Sequence, residues 1–327
     1  MKKLRVLSGM QPSGRMHLGN LIGALQNWIK LQEENECFFF VADWHAMSTN
    51  YENTKDIREN IKQMLIDWLA CGLDPEKSTI FIQSRVEEHA LLHLLLSMIT
   101  PVSWLERNPT YKEQITQIKN KDLSTYGFLG YPVLQSADIL SYKANAVPVG
   151  IDQLPHLELT REIARRFNFL YNAKLVEPEP LLTDIPKLPG TDGRKMSKSY
   201  NNAIYLSDPQ DVFENKVKNL ITDPARVRRT DKGNPDVCTV FVFHKIYSPS
   251  DEVNQIDKDC RSAGIGCTDC KKRLVERMKI SMKPIWERRE ALLSNPKKVM
   301  DIAEAGSAKA KKIAAETLNE VKEAIGI

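Results

Sequence analysis

Residues 4–43, LRVLSGMQPSGRMHLGNLIGALQNWIKLQEENECFFFVAD, decide the fold class. Leu4–Leu7 is a short apolar run that closes on the turn-rich SGMQPSG. After it Leu18, Ile22, Leu25 and Ile29 recur at helical spacing. CFFFVAD, 37–43, is a continuous apolar run of the length of a buried strand. Outward from there the same grammar repeats. DIRENIKQMLIDWLACG (56–72) is a helix stopped by Gly72, STIFIQS (78–84) is a strand, and EEHALLHLLLSMI (87–99) is a helix that reads as buried. YPVLQSADILSYKANAVPVG (131–150) returns through a helix to a strand at Ala146–Val149. Strand, helix, strand, helix, strand implies an α/β fold whose parallel sheet is closed by right-handed crossovers.

From about Pro186 the alternation stops, and helical segments separated by polar loops take over. The 327 residues are too many for one small core. They divide into an α/β module over 1–187, a mainly helical domain over 188–290, and C-terminal helices over 291–327. In the last of these Ala310, Ala314, Leu318, Val321 and Ile325 form one stripe. Net charge is +4, unevenly spread: residues 187–283 hold 19 Lys and Arg against 13 Asp and Glu. A basic second half points to a polyanionic partner. MKKLRVLSGMQPSG is not a signal peptide, because its apolar stretch is short and runs into a turn. HALLHLLLSMITPVSW contains His93 and Pro101 and reads as a buried helix, not a membrane span. Both readings imply a cytoplasmic protein whose six cysteines are reduced thiols or metal ligands.

Two stretches carry chemistry. PSGRMHLGN, 12–20, falls where the first strand ends and the first helix begins, the ligand-binding position of an open parallel sheet. A helix N-terminus there offers free N–H groups to a phosphate. Gly19 lets a flat ring approach the backbone, and His17 and Asn20 can hydrogen-bond to phosphate and ribose. The bland alternative is a glycine-rich turn with a solvated histidine. GTDGRKMSKSYNN, 190–202, sets Lys195 and Lys198 as mobile point charges beside Ser197 and Ser199, between glycines that let the loop open and close. Alone it reads as an exposed charged loop; paired with HLGN it reads as a polyphosphate clamp.

HLGN and KMSKS resemble the two signatures of the class I aminoacyl-tRNA synthetases, with Asn20 in place of the second histidine of the first motif. SGMQPSG, VADWHA, YPVLQSADILSY, VPVGIDQ and HLELTREIARRFN resemble, in order, segments of the tryptophanyl-tRNA synthetase family, and the likeness spans the chain. It implies a Rossmann-type parallel-sheet catalytic domain with a second, mainly helical, anticodon-binding domain. It also implies a homodimer, with a contact segment at about 103–132. The implied reaction activates L-tryptophan with ATP and Mg²⁺, then transfers it to tRNA(Trp). The resemblance makes His17, Asn20, Lys195 and Lys198 catalytic. ATP would be held by Gln11, Pro12, Ser13, Gly19, Asn20, Gly150, Ile151, Asp152 and Leu188, with Lys195, Met196, Ser197, Lys198 and Ser199 from the loop. Asp138 would accept the indole N–H, with Tyr131, Gln153, His45 and Gln11 around the amino acid; taken alone, Asp138 reads as a helix cap. Two departures stand out. Ile151 occupies a place where relatives carry glutamate, and Gln135 one where some carry methionine beside the indole, which makes this pocket more polar. A tyrosyl-tRNA synthetase is the rival within the class, and a non-catalytic RNA-binding or metal-sensing paralogue the rival outside it.

Cys238, Cys260, Cys267 and Cys270 run as C-x21-C-x6-C-x2-C inside the basic domain, whereas Cys37 and Cys71 sit in apolar core contexts. Chance clustering is one reading of the four; a metal site is the other, and both Zn²⁺ and an iron–sulfur cluster accept four thiolates. Some members of the resembled family carry a [4Fe–4S] cluster on such a pattern near the anticodon, which favours the cluster over Zn²⁺ in a structural role. ARVRR (225–229) and KKRLVERMK (271–279) are solvated faces if taken singly and tRNA-backbone contacts if the resemblance holds.

Overall fold

The computed structural model describes residues 3–117, 123–182 and 188–327. Residues 118–122 of the expected dimer segment, and 183–187 at the expected domain boundary, lie outside the described residues. Five parallel strands, β1 (Arg5–Met10), β2 (Glu36–Val41), β3 (Ser78–Ile82), β4 (Ala146–Val149) and β5 (Glu179–Leu182), stand in the order β3-β2-β1-β4-β5. The chain therefore builds outward from β1 in one direction and then crosses back to its other side. β1 pairs with β2 over its whole length, Arg5 opposite Glu36 to Met10 opposite Val41. Against β4 it registers only at Val6 and Ala146. Beyond that pair the two strands part, leaving a crevice at their carboxyl ends. β2 is the apolar spine: Phe38 and Phe39 are wholly buried, on opposite faces, and Phe39 stacks on Trp28 at 4.7 Å between centroids. β5 went unread in the sequence because Pro178 precedes it and Pro180 interrupts it. An edge strand tolerates them, since one side of its ladder is unpaired.

The first crossover helix is continuous in path but not in pitch. α1 (Leu18–Asn20) passes through a π-helical turn, Leu21–Leu25, into α2 (Gln26–Glu34). α3 (Asp43–Asn50) and α4 (Ile57–Cys71) follow β2; α4 ends on Gly72 in the left-handed conformation, φ 115°. α5 (Glu88–Ser97), α6 (Val102–Arg107), α7 (Pro109–Gln117) and α8 (Tyr126–Ser141) lie between β3 and β4, and α9 (Leu154–Tyr171) precedes β5. The helical region comprises α10 (Gln210–Lys218), α11 (Thr239–Tyr247), α12 (Ser250–Arg261) and α13 (Cys267–Leu293).

The structure corrects the reading of α5. Its His89, Leu92 and Leu96 are buried, but Leu91, Leu94 and Met98 are exposed, and so is Val102 beyond it, so one apolar face is left uncovered. A run of leucines with no polar side carries no signal for which face a core takes. The helical region does not float free. A single apolar cluster joins Val6, Phe39 and Trp68 to Phe213, Phe243, Met278 and Met282. Across that joint Arg289 pairs with buried Asp67 at 2.8 Å, and Arg288 donates to the Ala70 carbonyl at 2.6 Å. Residues 296–325 are one helix, α14 (Pro296–Ile325), where several were expected; it returns to the parallel sheet along the open edge of β3. Its Ser307 hydroxyl accepts from the Ile82 N–H at 3.3 Å, which covers a backbone donor the edge would leave bare.

Gly306 is the closest approach of α14 to β3: a Cβ there would overlap the Ile80 carbonyl oxygen. Helix propensity favours alanine over glycine by about 1 kcal/mol, but backbone cannot yield as a side-chain tip can. Gly306→Ala should therefore cost about 1–3 kcal/mol and lower the melting temperature. A melting temperature raised by the substitution would show that α14 does not sit this close.

Candidate active site

The crevice between β1 and β4 opens into a cavity of about 380 Å³. The end of β1 supplies Ser8–Gln11, β4 supplies Val147–Gly150, and α8 supplies Tyr131, Gln135 and Asp138. All five residues expected around the amino acid, Gln11, His45, Tyr131, Asp138 and Gln153, line this one cavity. Beneath it lies a buried polar network. Asp138 is 1% exposed; its Oδ1 accepts from His89 Nδ1 at 2.6 Å and from Gln83 Nε2 at 2.8 Å, and its Oδ2 from His45 Nε2 at 2.7 Å. Burial pushes the carboxyl up, but the two histidines outweigh it and hold Asp138 below the usual carboxylate range, so it is ionised. His89 Nε2 faces the Tyr142 hydroxyl at 2.6 Å. On the opposite wall the Tyr131 hydroxyl meets His156 Nε2 at 2.9 Å; burial brings His156 down to about 4, so this ring is neutral at pH 7. Asp138 is no helix cap, since it lies well inside α8.

The nucleotide end is assembled from two segments far apart in sequence. Residues 16–18 and 204–206 form a short antiparallel bridge: Leu18 N–H donates to the Ile204 carbonyl and Leu206 N–H to the Met16 carbonyl, both at 2.9 Å. This bridge brings the KMSKS loop onto HLGN. Lys198 Nζ donates to Ser13 Oγ at 3.2 Å and to the Gly14 carbonyl at 3.1 Å. The His17 ring is stacked so close to Gly19 that a Cβ there would lie 2.9 Å from it. Its Nδ1 is buried without a hydrogen-bond partner among the described residues. Burial, then Lys198, then Lys195 bring His17 down to about 4, so the ring is neutral. A neutral imidazole with one idle nitrogen, next to two lysines, is a hydrogen-bonding group in a basic setting. Asn20 Oδ1 accepts from the His17 N–H at 3.0 Å, which spends that oxygen on the helix start and leaves its amide N–H₂ as the donor.

Other expected residues divide. Lys195 is exposed and Lys198 half-buried; Ser197 and Ser199 pair hydroxyl to hydroxyl at 2.9 Å. Leu188 and Met196 are core residues that anchor the loop, with Met196 N–H donating to the Leu188 carbonyl. Gly150 borders the cavity, whereas Ile151 is 76% exposed and faces away from packing. Asn202, which sequence reasoning passed over, holds the loop's shape. Its Oδ1 accepts from Ser197 N–H at 2.8 Å, and its Nδ2 donates to Asp192 at 2.7 Å and to the Lys195 carbonyl at 3.2 Å. His89, Gln83 and His156 were passed over too, because nothing local to them marks a polar residue that a distant helix will meet.

The four cysteines come from three helix ends. Cys238 precedes α11, Cys260 ends α12, and Cys267 and Cys270 occupy the first turn of α13. They are near enough that Cys238, Cys260 and Cys267 all add to the rise of the Cys270 thiol to about 12, which burial begins. Among the described residues no three His, Cys, Asp or Glu side chains are gathered to hold a metal ion. The ARVRR reading needs correction at Arg226: it is buried, donates to the Ile265 carbonyl at 2.7 Å and lies 3.7 Å from Cys260 Sγ, so it does not face a phosphate. In KKRLVERMK, Leu274, Val275 and Met278 are core and Arg277 pairs with Glu252 at 2.6 Å.

The family model for tRNA synthetases class I (W and Y) matches residues 1–282. The chain is 54% identical over 326 residues to the tryptophan–tRNA ligase of Thermotoga maritima, covering 99% of each. It is 44% identical to that of Aquifex aeolicus, covering 99% of this chain and 100% of the other. A solved tryptophanyl-tRNA synthetase from Campylobacter jejuni, complexed with ADP and tryptophan, superposes with a TM-score of 0.90 at 33% identity, over 99% of this chain and 100% of that one.

Burial lowers Lys198 from 10.5 to about 8, against an upward pull from Asp67. Competitive acetylation across pH, read by mass spectrometry, should therefore give Lys198 an apparent pKa near 8. Inorganic triphosphate should raise it by stabilising the charged form. Titration of Lys198 with the exposed lysines, unmoved by triphosphate, would mean the loop does not sit against Ser13 and Gly14 in solution.

Proposed function

Because the chain belongs to the class I tRNA synthetases of the tryptophan and tyrosine branch, we infer that it is a tryptophan–tRNA ligase. It joins L-tryptophan to ATP, giving tryptophanyl-adenylate and pyrophosphate, and then passes the tryptophan to the terminal ribose of tRNA(Trp). The observation that carries this reading is the pairing of a histidine-floored cavity at the carboxyl ends of β1 and β4 with a lysine loop stitched to the segment that follows β1. The tryptophan carboxylate brings its own nucleophilic oxygen. It attacks the α-phosphorus while the bond to the β-phosphate oxygen breaks and its electrons leave with pyrophosphate. No side chain needs to remove a proton. What the chain supplies is alignment and positive charge. Lys198 and Lys195 face the charge that grows on the departing phosphates. The neutral His17 ring offers a hydrogen bond without repelling the lysines. Mg²⁺ accompanies ATP on its phosphates. In the second step a ribose hydroxyl attacks the adenylate carbonyl and AMP leaves.

The test is ATP–pyrophosphate exchange with tryptophan and with tyrosine, followed by charging of tRNA. Tryptophan-dependent exchange, negligible with tyrosine, is expected, and kcat/KM for ATP should fall as pH rises through about 8, where Lys198 loses its proton. Exchange with tyrosine alone would make the chain a tyrosyl enzyme; exchange with neither would leave the non-catalytic reading.

We further propose that Cys238, Cys260, Cys267 and Cys270 hold a [4Fe–4S] cluster, with Zn²⁺ as the alternative, and that residues 188–290 bind the anticodon arm beside it. Support lies in the donor set: four thiols at three helix ends, with a buried guanidinium at Cys260 and His244 Nε2 3.4 Å from Cys270 Sγ. A cluster there would be structural, fixing three helices to one another far from the adenylate chemistry. We also propose a cytoplasmic homodimer that covers the exposed face of Met47, Leu91, Leu94, Met98, Val102 and Tyr126 with a second copy. Val102 precedes the expected contact segment, about 103–132, and Tyr126 falls within it; the 1–187 module would carry the interface. Among the described residues no helix is long and apolar enough to cross a membrane. Protein purified without oxygen should be brown, contain about four irons and four sulfides per chain, and sediment at twice the chain mass. Colourless protein with one zinc would replace the cluster, thiols titrating freely would remove the site, and a monomer would remove the dimer.

A further inference from the structure

We propose that Asp208 is a positioning residue for the nucleotide site: its carboxylate draws Arg15, in the turn after β1, and Lys216, on α10, onto the segment that follows the KMSKS loop, and so latches the loop over the place the triphosphate takes. This rests on the tryptophan–tRNA ligase reading and deepens it.

The bridge between residues 16–18 and 204–206 is made by two backbone hydrogen bonds, which exchange readily for bonds to water. The ties that reinforce it converge on one group. The Asp208 side chain is 2% exposed. Its Oδ1 accepts from Arg15 Nη2 at 2.8 Å, and its Oδ2 accepts from Lys216 Nζ at 2.7 Å and from the Tyr205 N–H at 2.9 Å. Arg15 Nε donates to Ser207 Oγ at 2.8 Å, and Lys216 Nζ to the Ala203 carbonyl at 2.9 Å. Both cations also lie over the Tyr205 ring, 4.4 and 4.6 Å from its centroid. Residues 203–208 are thus gripped by side chains from two other parts of the chain.

The charges make Asp208 the member on which the grip depends. Two cations share one carboxylate; with that charge removed they are neighbouring like charges that repel. Arg15 is 49% and Lys216 28% exposed, so each can turn to water instead of staying stranded. The loss therefore falls on the latch and spares the core. The latch reaches the nucleotide end through adjacent residues. Gly14, beside Arg15, gives its carbonyl to Lys198, and His17 stands opposite Tyr205 in the bridge. Asp208 thus acts through Arg15 on the turn against which Lys198 rests. Its part is to keep the assembled form populated before ATP arrives, since a ligand that must first close its own site binds more weakly by the fraction closed.

Lys198 reports the state of the latch. Burial holds it down at about 8 against the upward pull of Asp67, and His17 and Lys195 are its titratable neighbours. A site that opens returns water to Lys198 and lifts its pKa toward that of an exposed lysine. The experiment joins competitive acetylation of Lys198 across pH to ATP–pyrophosphate exchange, in the unsubstituted protein, Asp208→Asn, Arg15→Gln and the double variant. Asparagine keeps the size of Asp208 and can still accept the Tyr205 N–H. Arg15→Gln alters a half-exposed side chain, so it carries the test alone if the buried change prevents folding. In each variant the Lys198 pKa should rise by about one unit. The two substitutions change the local charge in opposite senses, so a shared rise reports solvation and not Coulomb forces. KM for ATP should rise about tenfold with kcat within about twofold, because saturating ATP closes the site again, and KM for tryptophan should hold. The double variant should be no worse than either single one, as expected of two partners in one contact. A lowered melting temperature with the Lys198 pKa and KM for ATP unmoved would reduce the pair to a structural role and overturn the proposal. Additive effects in the double variant, or a loss confined to kcat, would overturn it as well. Absence of tryptophan-dependent exchange in the unsubstituted protein would bring down the ligase reading, while the acetylation of Lys198 would still decide whether the latch exists.

Discussion

The antiparallel bridge between residues 16–18 and 204–206 is the constraint on which the nucleotide end depends. Two hydrogen bonds at 2.9 Å tie the start of the first crossover helix to the segment just after the KMSKS loop. Without them Lys198 would be one more solvated lysine on a flexible stem. With them its ammonium rests against Ser13 and Gly14, loses part of its hydration, and falls to about 8. Asp67 partly restores the charge, and Asp67 is itself the partner of Arg289 on α13. The helical region therefore bears on the loop through packed, paired side chains as well as through the peptide chain.

Much of the fold was legible because its signals are local. The apolar run at 37–43, the helical spacing from Leu18 to Ile29 and the stop at Gly72 each specify an element without help from elsewhere. β5 was not legible, since its prolines argue against a strand and only its edge position makes them harmless. The exposed side of α5 was hidden for the opposite reason: leucine on every face hides which side the core takes. The return of α14 to β3 depends on Gly306 and Ser307, two small residues that carry no pattern of their own. In the site, motif residues could be named from the sequence, and the cavity gathers those expected around the amino acid. What could not be read was who holds them. Asn202, His89, Gln83 and His156 act through partners tens of residues away.

The cavity floor illustrates why such partners matter. A carboxylate, two histidines, a glutamine and a tyrosine are buried together, and each is hydrogen-bonded. Buried polar groups stabilise a unique arrangement when all are satisfied and destabilise strongly when one is not.

Nucleotide thus meets a site already assembled by the bridge, with neutral His17 and Lys198 on either side of it. A crystal structure with tryptophan and a non-hydrolysable ATP analogue tests that most directly. The triphosphate is expected between His17 and Lys198, with the Leu18–Ile204 and Leu206–Met16 hydrogen bonds intact. A triphosphate held elsewhere, or a complex in which that bridge has separated, would contradict it.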